Sequence, residues 1–258
     1  MSEHDGFRLE RDTARGVATI TLDVAGKFNR VSMNARDELR AVFEELDRDD
    51  AVRFVVLTGA GEAFTAGGDI PGFLQRSAWD VSRLADNVAA PERCSKPVVA
   101  ALRGYCFGVG LELALACDFR IAGEDLQIAF PEVTIGMIPG SGGTQRLARL
   151  VGLGRAKDIV MRGRRVSADE ALALGLVSEV VPPDELETAT ARLIDELARH
   201  SLLALAMAKR VLNQAYEGPL SQGLEVEGLA YGLLQQTHDF REGVESFTEK
   251  RKPEFTGE

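Results

Sequence analysis

Short apolar runs and stretches of helical spacing alternate along most of the chain. Phe54–Thr58 and Val98–Leu102 are continuous runs of strand length, which predicts strands buried on both faces. Residues 7–10 and 17–22 are β-rich and flank Arg15-Gly16, the pattern of a hairpin. Between them and the first buried run, Leu39, Val42, Phe43 and Leu46 recur at helical spacing, with Asn34 as the expected N-cap of a helix over 34–47. A second helical stretch covers 79–93, and short strands are expected at 119–122, 126–129 and 177–181. From Gly142 onward helices dominate, over 142–151, 154–162, 168–174, 183–200, 202–216 and 220–246. Pro182-Pro183 sets the last strand apart from the helical tail. Strands alternating with helices predict an α/β fold, and no internal repeat is visible. The expected division is a core over residues 1–200 and a helical region over 201–258. Leu202, Leu203, Leu205, Met207, Val211 and Leu212 give that tail enough apolar surface to pack on the core or on a neighbouring subunit.

Composition narrows the chemistry. A content of 45% hydrophobic and 27% charged residues in 258 is that of a well-cored globular protein. The net charge of −10 argues against nucleic-acid binding, which relies on clustered Lys and Arg. It leaves room for one basic pocket and a small anionic ligand. Cys94, Cys106 and Cys117 show no paired spacing and read as reduced, buried thiols. The only histidines, His4, His200 and His238, lie far from them in sequence, so neither a Cys–His nucleophile nor a metal site is expected. No basic, apolar leader opens the chain and no run of about 18 apolar residues occurs, so the expectation is a soluble cytoplasmic protein outside any membrane.

Two strand-to-turn junctions carry the candidate chemistry. Phe64–Ile70 follows the first buried strand, and Arg103–Glu112 follows the second and opens a helix. Glycines at such junctions let ligand atoms approach main-chain N–H groups, and a helix N-terminus adds unpaired donors. Two such donors converging on one point make an oxyanion hole, although each turn read alone is simply a tight turn. A dinucleotide fingerprint is not matched, because Leu113 stands where the third glycine belongs. Glu112 sits in the apolar run Leu111–Ala116, which predicts a buried carboxylate with a raised pKa; the plain alternative is a first-turn glutamate complementing the helix dipole. Glu132 follows Phe130-Pro131, and by position alone is a solvated loop carboxylate. Ser141 is the expected cap of the helix near Gly142, and Arg146 a partner for some carboxylate.

Taken in order, the motifs resemble those of the crotonase, or enoyl-CoA hydratase/isomerase, superfamily over essentially the whole chain. They are Asn29–Met33, Ala66-Gly67-Gly68-Asp69-Ile70, Lys96–Ala101, Gly104 with Gly108–Asp118, Phe130-Pro131-Glu132, Gly136–Arg146 and Glu249–Pro253. The resemblance implies a spiral of ββα units with a C-terminal helical trimerisation region, assembled as a homotrimer or a dimer of trimers. It implies an oxyanion hole built from the N–H groups of Gly68 and Val109, where many relatives carry glycine at the latter position. Hydratases of the superfamily place two glutamates at the positions of Glu112 and Glu132, whereas isomerases and C–C bond hydrolases often lack one or both. The implied reaction is addition of water to a 2-enoyl-CoA. Glu112 helps to activate the water toward C3, and Glu132 supplies the proton to C2. Coenzyme A enters as part of the substrate, with no separate cofactor and no metal. It is expected against Ala66, Ile70 and Phe28, and a neighbouring subunit would contribute Phe247 and Lys250.

Phe28, Met33, Tyr105, Phe107 and the segment 73–92 depart from a typical short-chain hydratase and are expected to shape the acyl pocket, where an aromatic or alicyclic group would fit. Two other readings stay open on the sequence. One is double-bond isomerisation, or hydrolytic ring opening of a cyclic acyl-CoA. The other is a non-catalytic member that binds CoA or RNA.

Overall fold

The structure is a computed structural model that describes residues 2–24, 26 and 28–258. Among the described residues, ten strands run in chain order as β1 (Ser2–His4), β2 (Phe7–Asp12), β3 (Val17–Leu22), β4 (Phe54–Gly59), β5 (Val98–Leu102), β6 (Tyr105–Phe107), β7 (Phe119–Gly123), β8 (Gln127–Ala129), β9 (Arg165–Ser167) and β10 (Glu179–Val181). The helices are α1 (Met33–Arg48), α2 (Ala78–Ser82), α3 (Leu84–Val88), α4 (Ala90–Arg93), α5 (Val109–Ala116), α6 (Gly143–Val151), α7 (Leu153–Arg162), α8 (Ala168–Ala173), α9 (Leu186–Leu197), α10 (Leu202–Asn213), α11 (Leu220–Leu234) and α12 (His238–Glu249).

The chain forms two compact units, Met1–Cys94 with Val98–Thr190, and Ser95–Pro97 with Ala191–Glu258. In the first, a seven-stranded sheet runs in the order β1-β2-β3-β4-β5-β7-β10. The β1-β2-β3 edge is antiparallel, and every pair from β3 to β10 is parallel. Apolar residues fill β5 and β4 from Phe54 to Leu57, as parallel strands covered on both faces require. A smaller sheet of β6, β8 and β9 adds a second layer, with β6 and β8 parallel. Phe43, Phe54, Phe64, Phe130, Leu39 and Leu57 are among the fully buried side chains of this unit. The turns that follow β4 and β5 leave from the carboxyl ends of adjacent parallel strands, where open α/β sheets bind ligands.

Several boundaries differ from the sequence expectation, each for a local reason. Helix α1 begins one residue before Asn34 because Ser32 is the cap, its Oγ accepting from Ala35 N at 3.0 Å. The stretch 79–93 is three short helices, broken at the bridge-region Arg83 and before Pro91. The span 220–246 is two helices, because Thr237 leaves the helical conformation and caps α12 through Phe240 N at 3.1 Å. Strands β6 and β9, which the sequence reading left unassigned, flank β8 in the smaller sheet.

All three cysteines are buried, and burial pushes the Cys106 thiol up, away from the thiolate a nucleophile needs. Among the described residues, no helix is long and apolar enough to cross a membrane.

In the second unit, Asp239 is buried and accepts from Ser201 Oγ at 2.6 Å and from the N–H groups of Thr256 and Gly257 at 2.8 and 3.1 Å. Arg251 grips Glu242 with both terminal nitrogens at 2.6 and 2.8 Å, which holds that carboxyl down at about 2. Leu212, Leu220, Leu224, Leu229, Tyr231 and Phe247 of this unit are exposed.

Candidate active site

The two glycine-rich turns meet. Isolated bridges tie Val31 to Gly68 and Thr65 to Cys106. In the first, Val31 N donates to Gly67 O at 3.0 Å and Asp69 N to Val31 O at 3.2 Å. A parallel bridge of that form spends the groups of residues 67 and 69 on Val31 and turns the N–H of Gly68 the other way. The second turn abuts the first: a Cβ on Gly67 would stand 3.4 Å from Phe107 O, and one on Gly108 would stand 3.9 Å from Gly67 Cα. Gly67 and Gly108 have φ of 116° and 55°, conformations that other residues rarely adopt.

Gly108 is the N-cap of α5, so Val109 is the first helical residue and its N–H has no acceptor within the helix. Neither Gly68 N nor Val109 N has a hydrogen-bond acceptor among the described residues. Val109 is buried and Gly68 half-buried. These are the two donors that the family resemblance names, and they lie on adjoining turns.

Glu112 lies one turn into α5 and is 2% exposed. Its Oε1 accepts from Ser141 N at 2.6 Å and from Gly143 N at 3.0 Å. Ser141 therefore does not cap α6. Gly142, in the left-handed region, is the N-cap without a side-chain bond, and the carboxylate of Glu112 takes up main-chain donors at this helix start. Glu132 stands in a 3-10 helix, Pro131–Ile135, that follows β8. The carboxylate is half-buried and not the solvated group its position suggested. Its Oε1 lies 3.0 Å from where a Cβ of Gly108 would be, and its Oε2 is buried without a partner among the described residues. Burial pushes this carboxyl up to about 7; its own main-chain N–H opposes the rise, the nearby Glu112 adds to it, and Arg36 opposes it.

A proton-holding carboxyl, a second carboxylate anchored on main-chain donors and two unspent N–H groups make an arrangement suited to proton transfer beside a developing oxyanion. A sequence profile of the enoyl-CoA hydratase/isomerase family matches residues 12–258. The mitochondrial enoyl-CoA hydratase of Pongo abelii is 39% identical over 93% of this chain and 83% of its own. The short-chain-enoyl-CoA hydratase of Clostridium acetobutylicum is 35% identical over 92% and 93%. The chain belongs to the enoyl-CoA hydratase/isomerase family. The crystal structure of an enoyl-CoA hydratase from Bacillus anthracis superposes with a TM-score of 0.91 at 37% identity, covering 98% of this chain and 100% of that one.

For this member of the family, the remaining expected residues divide between the units. Ala66 is half-buried and donates to Phe28 O at 2.8 Å, while Ile70 and Phe28 are exposed beside that turn. Phe28 packs edge-on against Tyr105 at 5.7 Å, and Tyr105 against Phe107 at 5.0 Å, with Arg165 over both rings. Phe247 and Lys250 lie in the second unit, on α12 and at its C-cap. Phe247 is 86% exposed there and lines an apolar cleft of about 610 Å³ with Leu234, Phe240, Val244 and Phe255.

The sequence reading missed Arg36, which is 3% exposed. A signal was present. Positions 36, 39, 43 and 46 fall on one apolar stripe of α1, and arginine occupies a core position of it. The expected partner for Arg146 is Glu92, reached from Nε at 3.0 Å.

Proposed function

We propose that this enzyme adds water across the C2–C3 double bond of a 2-enoyl-CoA thioester to give a 3-hydroxyacyl-CoA. The observation that carries the reading is the pairing of two carboxyl groups in unlike surroundings beside two unspent main-chain donors. Water addition needs a base for the water, an acid for C2 and a stabiliser for the enolate between them. In this reading the N–H groups of Gly68 and Val109 receive the thioester oxygen and the charge that reaches it. Glu112 takes a proton from water as the water oxygen bonds to C3. Glu132, whose proton is retained toward neutrality by burial, passes that proton to C2 as the enolate collapses. One water is added in all, and the proton gained by Glu112 returns to Glu132 through solvent.

The same reading sets the CoA moiety against Ala66, Ile70 and Phe28 and needs no further cofactor. It makes the protein a cytoplasmic homotrimer or dimer of trimers in which a neighbouring subunit brings Phe247 and Lys250 to the nucleotide. The exposed apolar side chains of the second unit support association.

The test follows the absorbance of the conjugated thioester of crotonyl-CoA, with product mass as the second readout. The expected result is loss of the enoyl band, a product heavier by one water, and collapse of turnover in Glu112→Gln and in Glu132→Gln. Unchanged turnover in both variants, or a product of unaltered mass, would overturn the proposal.

A further inference from the structure

Arg36 is a buried guanidinium with little to compensate it. Taking such a charge out of water costs several kcal/mol unless opposite charge and hydrogen bonds replace the solvent. Its one hydrogen bond among the described residues runs from Nη1 to Ser141 Oγ at 3.2 Å, and Nε is buried with no partner. The guanidinium carbon lies 5.4 Å from the centre of the Phe73 ring. Burial draws this group below its ordinary range, and Glu112, Glu132 and Asp37 are the carboxylates that hold it up. Two of those three are the acid and base of the proposed reaction.

Gly68 makes the room. Its φ is not in the left-handed region, so the backbone there does not itself demand glycine. A Cβ at this position would instead stand 2.9 Å from Arg36 Nη2. Space beside one oxyanion-hole donor is thus given over to a cation. Ser141 links that cation to the base, because its hydroxyl accepts from Arg36 while its N–H donates to Glu112.

We propose that Arg36 is a positioning residue for water addition: through Ser141 and the space left at Gly68, it supplies the fixed positive charge against which Glu112 and Glu132 divide one proton. This rests on the hydratase reading above. Water addition by this pair uses the form carrying a single proton, since with two the base is blocked and with none the acid is spent. The groups that bear on Glu132 are its own N–H, Glu112 and Arg36. Of these, Arg36 is the one positive charge, and it favours release of the second proton.

Two readouts separate this proposal from the reaction it serves. The first is the carboxyl 13C shift of Glu132 against pH in protein labelled with 13C-glutamate, assigned through Glu132→Gln. It requires no turnover. The titration midpoint is expected to move to higher pH in Arg36→Met and to return most of the way in Arg36→Lys. The second is kcat/KM for crotonyl-CoA against pH. Both limbs of the profile are expected to move to higher pH in Arg36→Met, with a loss of roughly tenfold on the acid side for each pH unit moved and little loss on the alkaline side. If Arg36→Met does not fold, Arg36→Gln removes the charge, keeps a donor for Ser141 and is read in the same way. An unmoved Glu132 midpoint, or a loss of kcat/KM that is uniform in pH, would show that Arg36 only fills space and would overturn the proposal. If the wild-type protein leaves crotonyl-CoA and other 2-enoyl-CoA thioesters unchanged, the hydratase reading fails and with it the catalytic part of this proposal. The Glu132 titration still decides whether Arg36 governs the pair.

Discussion

Glu132→Gln removes a group whose ionisation the fold resists, and the size of that resistance can be measured without any substrate. The carboxyl is pushed from an ordinary 4.5 to about 7 by burial. Between those two values the folded protein keeps a proton that the unfolded chain has released. Folding stability therefore falls as pH rises from about 4.5 to about 7, and this contribution is level outside that window. At about 1.4 kcal/mol per pH unit the full effect is about 3 kcal/mol, and solvent screening of a half-buried group brings it to roughly 2 kcal/mol. The assay is urea unfolding of wild type and Glu132→Gln near pH ~5 and pH ~8, at one fixed protein concentration so that association contributes equally to both. Wild type is expected to lose roughly 2 kcal/mol more than the variant between the two pH values. On this reasoning the variant is the more stable protein on the alkaline side. Parallel pH profiles for the two proteins would show that Glu132 is not held protonated by its surroundings.

Val109→Pro removes one main-chain donor at the first position of α5, where proline is well tolerated. It is expected to lower kcat about 10²- to 10³-fold with the melting temperature little changed, and a fully active variant would take Val109 out of the oxyanion hole. Leu229, exposed on α11 of the second unit, is expected to lie in a subunit contact. Light scattering should therefore give a trimer or hexamer for wild type and a smaller species for Leu229→Glu, while a monomeric wild type would refute the assembly.

Much of the fold was legible because its signals are local. The continuous apolar runs of β4 and β5 can satisfy only strands covered on both faces, and each lies where the pattern put it. Helix ends were less legible, since Ser32 and Asn34 are both good caps and only the tertiary placement of α1 selects the first. Of the site, the burial of Glu112 could be read from the apolar residues around it in its own helix. The surroundings of Glu132 could not, because the residue that crowds it is Gly108, 24 positions earlier and on another turn. Ser141 was misread for the same reason: its partners, Glu112 and Arg36, come from two distant helices. Arg36 itself stood in plain view on the apolar stripe of α1, but helical periodicity registers a charged residue there as a gap and not as a feature.

The close approach of Arg36 to Gly68 makes two alphabets into one. With arginine at 36, position 68 admits only glycine unless the guanidinium tips aside, whereas an uncharged, shorter residue at 36 would free position 68 for alanine. The two sites are 32 residues apart in the chain and belong to different elements. Position 68 should nonetheless keep glycine where position 36 is arginine, and a side chain engineered at 68 should be accepted more readily once Arg36 is shortened with it.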